Sequence, residues 1–199
     1  MLNIIDTHFL TIMHNDIKKA LEVLHSGGVI LYPTDTIWGI GCDATNPEAV
    51  KKVYEIKKRE DSKAMLVLME NANRLNSYVD EVPEIAWDLI DTNDQPMTLI
   101  YPGAKNLAPN LINSDGTIGI RITREEFTQN LIQRFKKPIV STSANQSGDV
   151  APANFYEISD EIKEAVDYIV EYRQEDMEKC TPSSIIKIGL GGEFQIIRP

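Results

Sequence analysis

Two cysteines, Cys42 and Cys180, are all that this 199-residue chain carries. They are too few and too far apart for a structural zinc site or a disulfide framework. Reduced thiols, and with them the cytoplasm, are the expectation. No apolar run approaches the length needed to cross a bilayer, so no membrane association is expected. The first fifteen residues show neither a basic leader nor a small-residue cleavage site, and no secretory signal is expected. Positive charge is also in deficit, with 20 Lys and Arg against 30 Asp and Glu, a net charge of −10. That balance argues against a protein whose main work is gripping a phosphate backbone, though it permits a local basic groove.

Familiar catalytic signatures are missing too. No GxxxxGK[ST] loop is present, and no GxSxG elbow supports a Ser-His-Asp triad. Gly189, Gly191 and Gly192 lack the strand-to-helix setting of a dinucleotide fingerprint and read as a turn. His8, His14 and His25 sit near the N-terminus, away from every motif, so no protein-bound metal is expected.

What is present is an alternation of strands and helices. Asn15 can cap a helix running to His25, with Ile17, Ala20, Leu21 and Leu24 on one face and Gly27-Gly28 ending it. Val29 to Tyr32 reads as a buried strand, broken by Pro33. Asn46-Pro47 starts a second helix. It carries Val50, Val53, Tyr54 and Ile56 and delivers a basic cluster at its end. Leu66 to Met69 is the next strand, followed by helices over 72–78 and 83–90. Strands over 98–101 and 118–122, a helix over 127–135 and a strand over 138–140 come next. Two last strands, over 184–188 and 195–197, are joined by the glycine turn. The pattern predicts one α/β domain over residues 1–199, built on a mixed sheet.

Three segments can carry chemistry. Pro33-Thr34-Asp35-Thr36, with Gly39 and Gly41 behind it, follows a buried strand and could receive the polar head of a small ligand. Equally, its side chains could cap their own turn. Lys57, Lys58, Arg59 and Lys63 put four cations within seven residues. They read either as a phosphate clamp or as a solvated helix end complementing the macrodipole. Ser141-Thr142-Ser143-Ala144-Asn145 leaves a buried strand and could form an anion-binding nest or a plain polar loop. Arg121 sits in the strand over 118–122 and joins a site only if its face carries the other motifs.

Taken in order, GGVILYPTDTIWGIGCDA (27–44), Lys57-x-Arg59, GTIGIRIT (116–123), STSANQSG (141–148), TPSSIIKI (181–188) and IIRP (196–199) resemble the YrdC family of threonylcarbamoyl-adenylate synthases. The resemblance implies a twisted, open α/β sheet with flanking helices and a large groove. It implies an enzyme that joins L-threonine, bicarbonate and ATP into threonylcarbamoyl-AMP, releasing pyrophosphate, for threonylcarbamoyladenosine modification of tRNA. Implied for ATP are Lys57, Arg59, Lys63, Thr117, Ser143, Asn145 and Arg198, with Lys57 and Arg59 central to catalysis and exposed at their helix end. Implied for threonine are Thr36, Arg121, Ser141 and Ser183. Mg2+ would travel with ATP, proteins that transfer the threonylcarbamoyl group would be partners, and tRNA or double-stranded RNA could bind weakly. An alternative reading is a paralogue that keeps the fold as an RNA- or nucleotide-binding module without this activity. Departures from the family pattern are Glu60 and Ala64 near the basic cluster, and Trp38 for a smaller aromatic.

Overall fold

The computed structural model describes residues 4–58, 65–178 and 180–199. Its first element, α1, spans Ile4–His25. This is longer than the helix expected from Asn15, which lies on an exposed face in mid-helix. The buried stripe of Ile17, Ala20 and Leu24 runs back to Met13, so the apolar period, not the cap-type residue, marks the helix. Gly27 ends it at φ +73°, a conformation that glycine adopts without Cβ strain.

Strand β1, Ile30–Tyr32, turns back through the Pro33 segment into β2, Gly39–Gly41. Helix α2, Pro47–Ile56, begins as expected, the Asn46 side chain accepting from the backbone N–H of Glu48 and Ala49. Then follow β3 (Leu66–Met69), a 3-10 turn over Ala72–Ser77, and α3 (Glu84–Thr92). The next elements are β4 (Met97–Tyr101), β5 (Ile118–Ile122), α4 (Glu126–Phe135) and β6 (Ile139–Ser143). A short α5 (Asp160–Ala165), β7 (Tyr168–Ile169), β8 (Ser184–Ile188) and β9 (Phe194–Arg198) complete the chain.

Among the described residues the strands form one open sheet in the order β7-β1-β2-β6-β3-β5-β4-β8-β9. Pairs β1/β7, β3/β5 and β4/β8 are parallel and the rest antiparallel, as a mixed sheet requires. Short β2, β7 and α5 have no counterpart in the expected elements. β2 reads Gly-Ile-Gly, a sequence of low strand propensity, and it pairs because it lies between β1 and β6.

Register decides which side chains share a face. Leu66 pairs with both Gly119 and Ser141, and Leu68 with Arg121. Gly39 pairs with Ser143, and Thr98 with Ile185. Period-2 alternation therefore places Ser141, Ser143, Gly119, Arg121 and Leu66 on one side of the sheet, in the middle of its width.

Gly41 has a steric reason to be glycine. A Cβ there would lie 2.5 Å from the Val140 carbonyl oxygen and 2.6 Å from Cε1 of the Tyr32 ring. Neither neighbour can yield, since one is backbone and the other a fully buried ring. Gly41→Ala should lose about 1–3 kcal/mol of stability, as overpacked cores do. A urea titration should show a lower midpoint with an unchanged slope; an unmoved midpoint would mean the ring can repack.

Candidate active site

A cleft of about 310 Å³ opens on the face that register predicts. That volume falls in the range of small-molecule sites. Its wall includes Thr36, Trp38, Gly39, Leu66, Arg121, Ser141, Ser143, Ser183 and Arg198. The first strand-to-strand loop, the β5 arginine, the β6 hydroxyls and the last two strands thus meet in one place.

The Thr34–Thr36 loop satisfies both readings offered for it. The Thr34 hydroxyl donates to the Ile37 carbonyl (2.8 Å) and accepts from the Thr36 backbone N–H (3.0 Å). This self-capped turn then holds the Thr36 hydroxyl at the cleft, 3.0 Å from that of Thr34. Asp35 departs from the turn reading, because its carboxylate reaches across to Arg121 instead. The sequence signal was present, a carboxylate in the motif with a strand arginine available, but nothing local pairs the two.

Arg121 is buried at 3% exposure. Burial works against its charge, and the Asp35 carboxylate works for it. Its Nε is buried without a hydrogen-bond partner among the described residues. An unmet donor of a buried guanidinium is costly.

Ser183 and Arg198 come from the far side. The Ser183 hydroxyl lies 2.8 Å from that of Thr98, and Arg198 Nε donates to the Ser183 carbonyl at 2.8 Å. Ser141 is buried beside Tyr32, whose phenol is pushed well above its usual range by burial. The Tyr32 hydroxyl donates to the Val140 carbonyl, which braces β1 against β6. Trp38 stacks obliquely on Phe155, with ring centroids 4.9 Å apart, and closes one end.

Lys57 requires a correction. It is not an exposed helix-end cation but a buried one, at 2% exposure. Its ammonium donates to the carbonyls of Ser143 and Asn145, both at 2.6 Å. Its own carbonyl accepts from Ser147 N–H at 2.9 Å, so side chain and backbone together stitch α2 to the Ser143–Ser147 loop. Asn145 is drawn into the same loop, its amide donating to the Gln146 and Asp149 carbonyls. Thr117 stands just before β5 and does not line the cleft; its hydroxyl is held in a turn with Asp115 and Asn113. Arg59 and Lys63 fall outside the described residues. Of the expected set, Thr36, Arg121, Ser141, Ser143, Ser183 and Arg198 gather on the cleft wall, while Lys57, Asn145 and Thr117 stand behind or beside it. Among the described residues no group of three or more His, Cys, Asp or Glu is placed to hold a metal ion. No helix among them is long and apolar enough to cross a membrane.

The protein-family model Sua5_yciO_yrdC, described as "Telomere recombination", matches residues 22–199. The threonylcarbamoyl-AMP synthase of Pseudoalteromonas translucida (strain TAC 125) is 34% identical over 180 residues, 89% of this chain and 95% of that protein. E. coli YciO superposes with a TM-score of 0.78 at 25% identity, covering 92% of this chain and 87% of that one. P. abyssi Sua5, solved in complex with L-threonine, superposes with a TM-score of 0.77 at 24% identity and shares the fold. This chain, of which 86% is matched, spans half the length of that longer protein. With the family model covering most of its length, the chain belongs to the Sua5/YciO/YrdC family.

Proposed function

We propose that the protein is an L-threonylcarbamoyladenylate synthase, a nucleotidyltransferase that forms threonylcarbamoyl-AMP and pyrophosphate from L-threonine, bicarbonate and ATP. The observation that carries this reading is the buried Arg121 guanidinium, with an unmet Nε, on a wall shared with the Thr36 and Ser141 hydroxyls. A planar fork of donors suits a carboxylate held bidentately, and flanking hydroxyls suit the amino and hydroxyl groups of threonine. The name of the Pseudoalteromonas relative supports the same activity.

The chemistry fits a wall without histidine. Threonine's neutral amine takes up bicarbonate with loss of water, giving a carbamate. A carbamate oxygen then attacks the α-phosphorus of ATP, and the bond to the β-phosphate oxygen breaks as pyrophosphate leaves. Such a reaction depends on placing two anions together and offsetting their charge, more than on a strong base. Arg121 would fix the carboxylate. Arg198 and the Ser143 hydroxyl, on the same wall, would face the nucleotide. Lys57 contributes by holding the loop that presents Ser143, and Arg59 and Lys63 are proposed to meet the phosphates. Mg2+ would arrive bound to ATP, since the described wall is rich in hydroxyls and carries no carboxylate. It would offset phosphate charge when bound.

The proposed setting is the cytoplasm, with proteins that transfer the threonylcarbamoyl group to tRNA as partners. Incubation with ATP, threonine and bicarbonate tests the reading. Pyrophosphate should form only when all three are present, and release at the same rate without any amino acid would sink it. Because the chain carries a net charge of −10 and the cleft cations are those proposed for ATP, tRNA binding by the isolated protein should be weak. It should fall steeply with salt and be competed by ATP. Filter binding across a salt series reads this, and tight salt-resistant binding indifferent to ATP would favour an RNA-binding module instead.

A further inference from the structure

One buried ion pair beside the cleft is only partly satisfied. Asp35 Oδ1 stands 3.1 Å from Arg121 Nη2, and the two side chains are 9% and 4% exposed. At that separation the charges attract, yet Asp35 Oδ1, like Arg121 Nε, makes no aligned hydrogen bond among the described residues. The other carboxylate oxygen of Asp35 accepts from the backbone N–H of Arg124 at 3.3 Å, which anchors it to the start of the segment leading into α4. Arg121 lines the cleft, whereas Asp35 does not. Asp35 faces a separate depression with Arg124, Glu125 and Arg173. The carboxylate is therefore behind the guanidinium and the cleft is in front of it.

We propose that Asp35 is a positioning residue, which holds the Arg121 guanidinium from behind so that the face Arg121 presents to the cleft meets the carboxylate of an amino acid there. This rests on the reading of the cleft as a threonine site.

Three features support the role. A guanidinium carries its donors in one rigid plane, so a small rotation breaks a two-bond contact with a carboxylate. Asp35 is anchored through Oδ2 to the Arg124 N–H, which sets Oδ1 against Nη2 and restrains that rotation from the side away from the cleft. The charge count is also suitable. Arg121 and Arg198 reach the wall as two cations, and Asp35 is the counter-charge of Arg121 alone, which leaves Arg198 for the nucleotide. Without Asp35 the Arg121 cation would be buried with no counter-charge, and it would turn toward water or other acceptors.

Removal of Asp35 sets two effects against each other. A more positive cleft attracts a carboxylate more strongly, while a freed guanidinium binds it less well. The proposal requires the second effect to win. A merely structural ion pair would instead lower thermal stability and leave substrate binding alone.

The test is steady-state pyrophosphate release by Asp35→Asn, Arg121→Gln and the double variant, with unfolding temperatures measured alongside. Asp35→Asn keeps the shape and removes the charge, and the unfolding temperature reads what the lost counter-charge costs the fold. Its KM for threonine should rise about tenfold, at one power of ten per 1.4 kcal/mol, while its KM for ATP stays within twofold. Arg121→Gln should raise the threonine KM further. Adding Asp35→Asn to it should then change nothing more, because Asp35 acts through Arg121. An unchanged or lowered threonine KM in Asp35→Asn, with Arg121→Gln impaired, overturns the positioning role and leaves the threonine site standing. If Arg121→Gln leaves the threonine KM unmoved, the threonine site is itself misplaced and the role of Asp35 falls with it. Should Asp35→Asn fail to fold, Asp35→Glu takes its place. There a displaced carboxylate must raise the threonine KM without raising that for ATP, and no rise overturns the proposal.

Discussion

Thermal unfolding of a Lys57→Met variant should move down by roughly 6–12 °C. The ammonium is buried and lies 2.6 Å from each of two backbone carbonyls, those of Ser143 and Asn145. Methionine fills the space of the chain but donates nothing, so both carbonyls are left without that partner in a place water hardly reaches. Charge-assisted hydrogen bonds contribute about 1.5–3 kcal/mol each, and losses in one network do not simply add. A net loss of about 3 kcal/mol corresponds to the stated shift, at roughly 2–4 °C per kcal/mol for a chain of this size. Activity should fall as well, because the same loop presents Ser143 at the cleft wall. Lys57→Ala should be worse than Lys57→Met in stability, since it adds a cavity to the lost bonds. Differential scanning calorimetry reads the shift directly. A melting temperature within 2 °C of the parent protein would show that the ammonium is solvated, and that Lys57 is the exposed helix-end cation its sequence neighbourhood implies.

Local pattern and tertiary context divide what could be read beforehand. β3, β5 and the β8–β9 hairpin were legible because each is a run of apolar or β-branched residues closed by a turn signal. β6 was legible only to Val140: Ser141–Ser143, read as a nest or loop, continue the strand by pairing with β2 and β3. α2 was legible through its Asn46 cap and Pro47 start. Two-residue β7 and Gly-Ile-Gly β2 were not, because their pairing comes from neighbours already in the sheet. The N-terminal reach of α1 was hidden behind Asn15, a good capping residue that here sits on an exposed face. At the cleft, the family motifs brought Thr36, Arg121, Ser141, Ser143, Ser183 and Arg198 to one wall. What they could not give is which polar groups are already engaged. Lys57 lies in a basic run that looks solvated by composition, and only the fold sets it against carbonyls 86 and 88 positions away. The partnership of Asp35 with Arg121 is hidden for the same reason, since it depends on where β1 and β5 place their ends.

Arg121→Lys should raise the KM for threonine by about ten- to a hundredfold, with a smaller change in that for ATP. Lysine keeps the positive charge, so the pairing with Asp35 and the fold should largely survive. What it loses is the fork, because an ammonium is a point charge that cannot hold Asp35 on one side and both oxygens of a substrate carboxylate on the other. A lost charge-assisted bond of about 1.5–3 kcal/mol gives that range, at tenfold per 1.4 kcal/mol. A substrate that lacks the carboxylate separates this role from a general loss of activity. The parent protein should strongly prefer threonine to threoninol, and Arg121→Lys should narrow that preference by the same factor by which it raises the threonine KM. Serine should be a poorer substrate for both proteins, by about 1 kcal/mol for the missing methyl group, because that contact does not involve Arg121. An arginine that merely braces the sheet would lower turnover on every substrate alike. Equal losses on threonine and threoninol would therefore remove Arg121 from the substrate and leave the cleft without its carboxylate anchor.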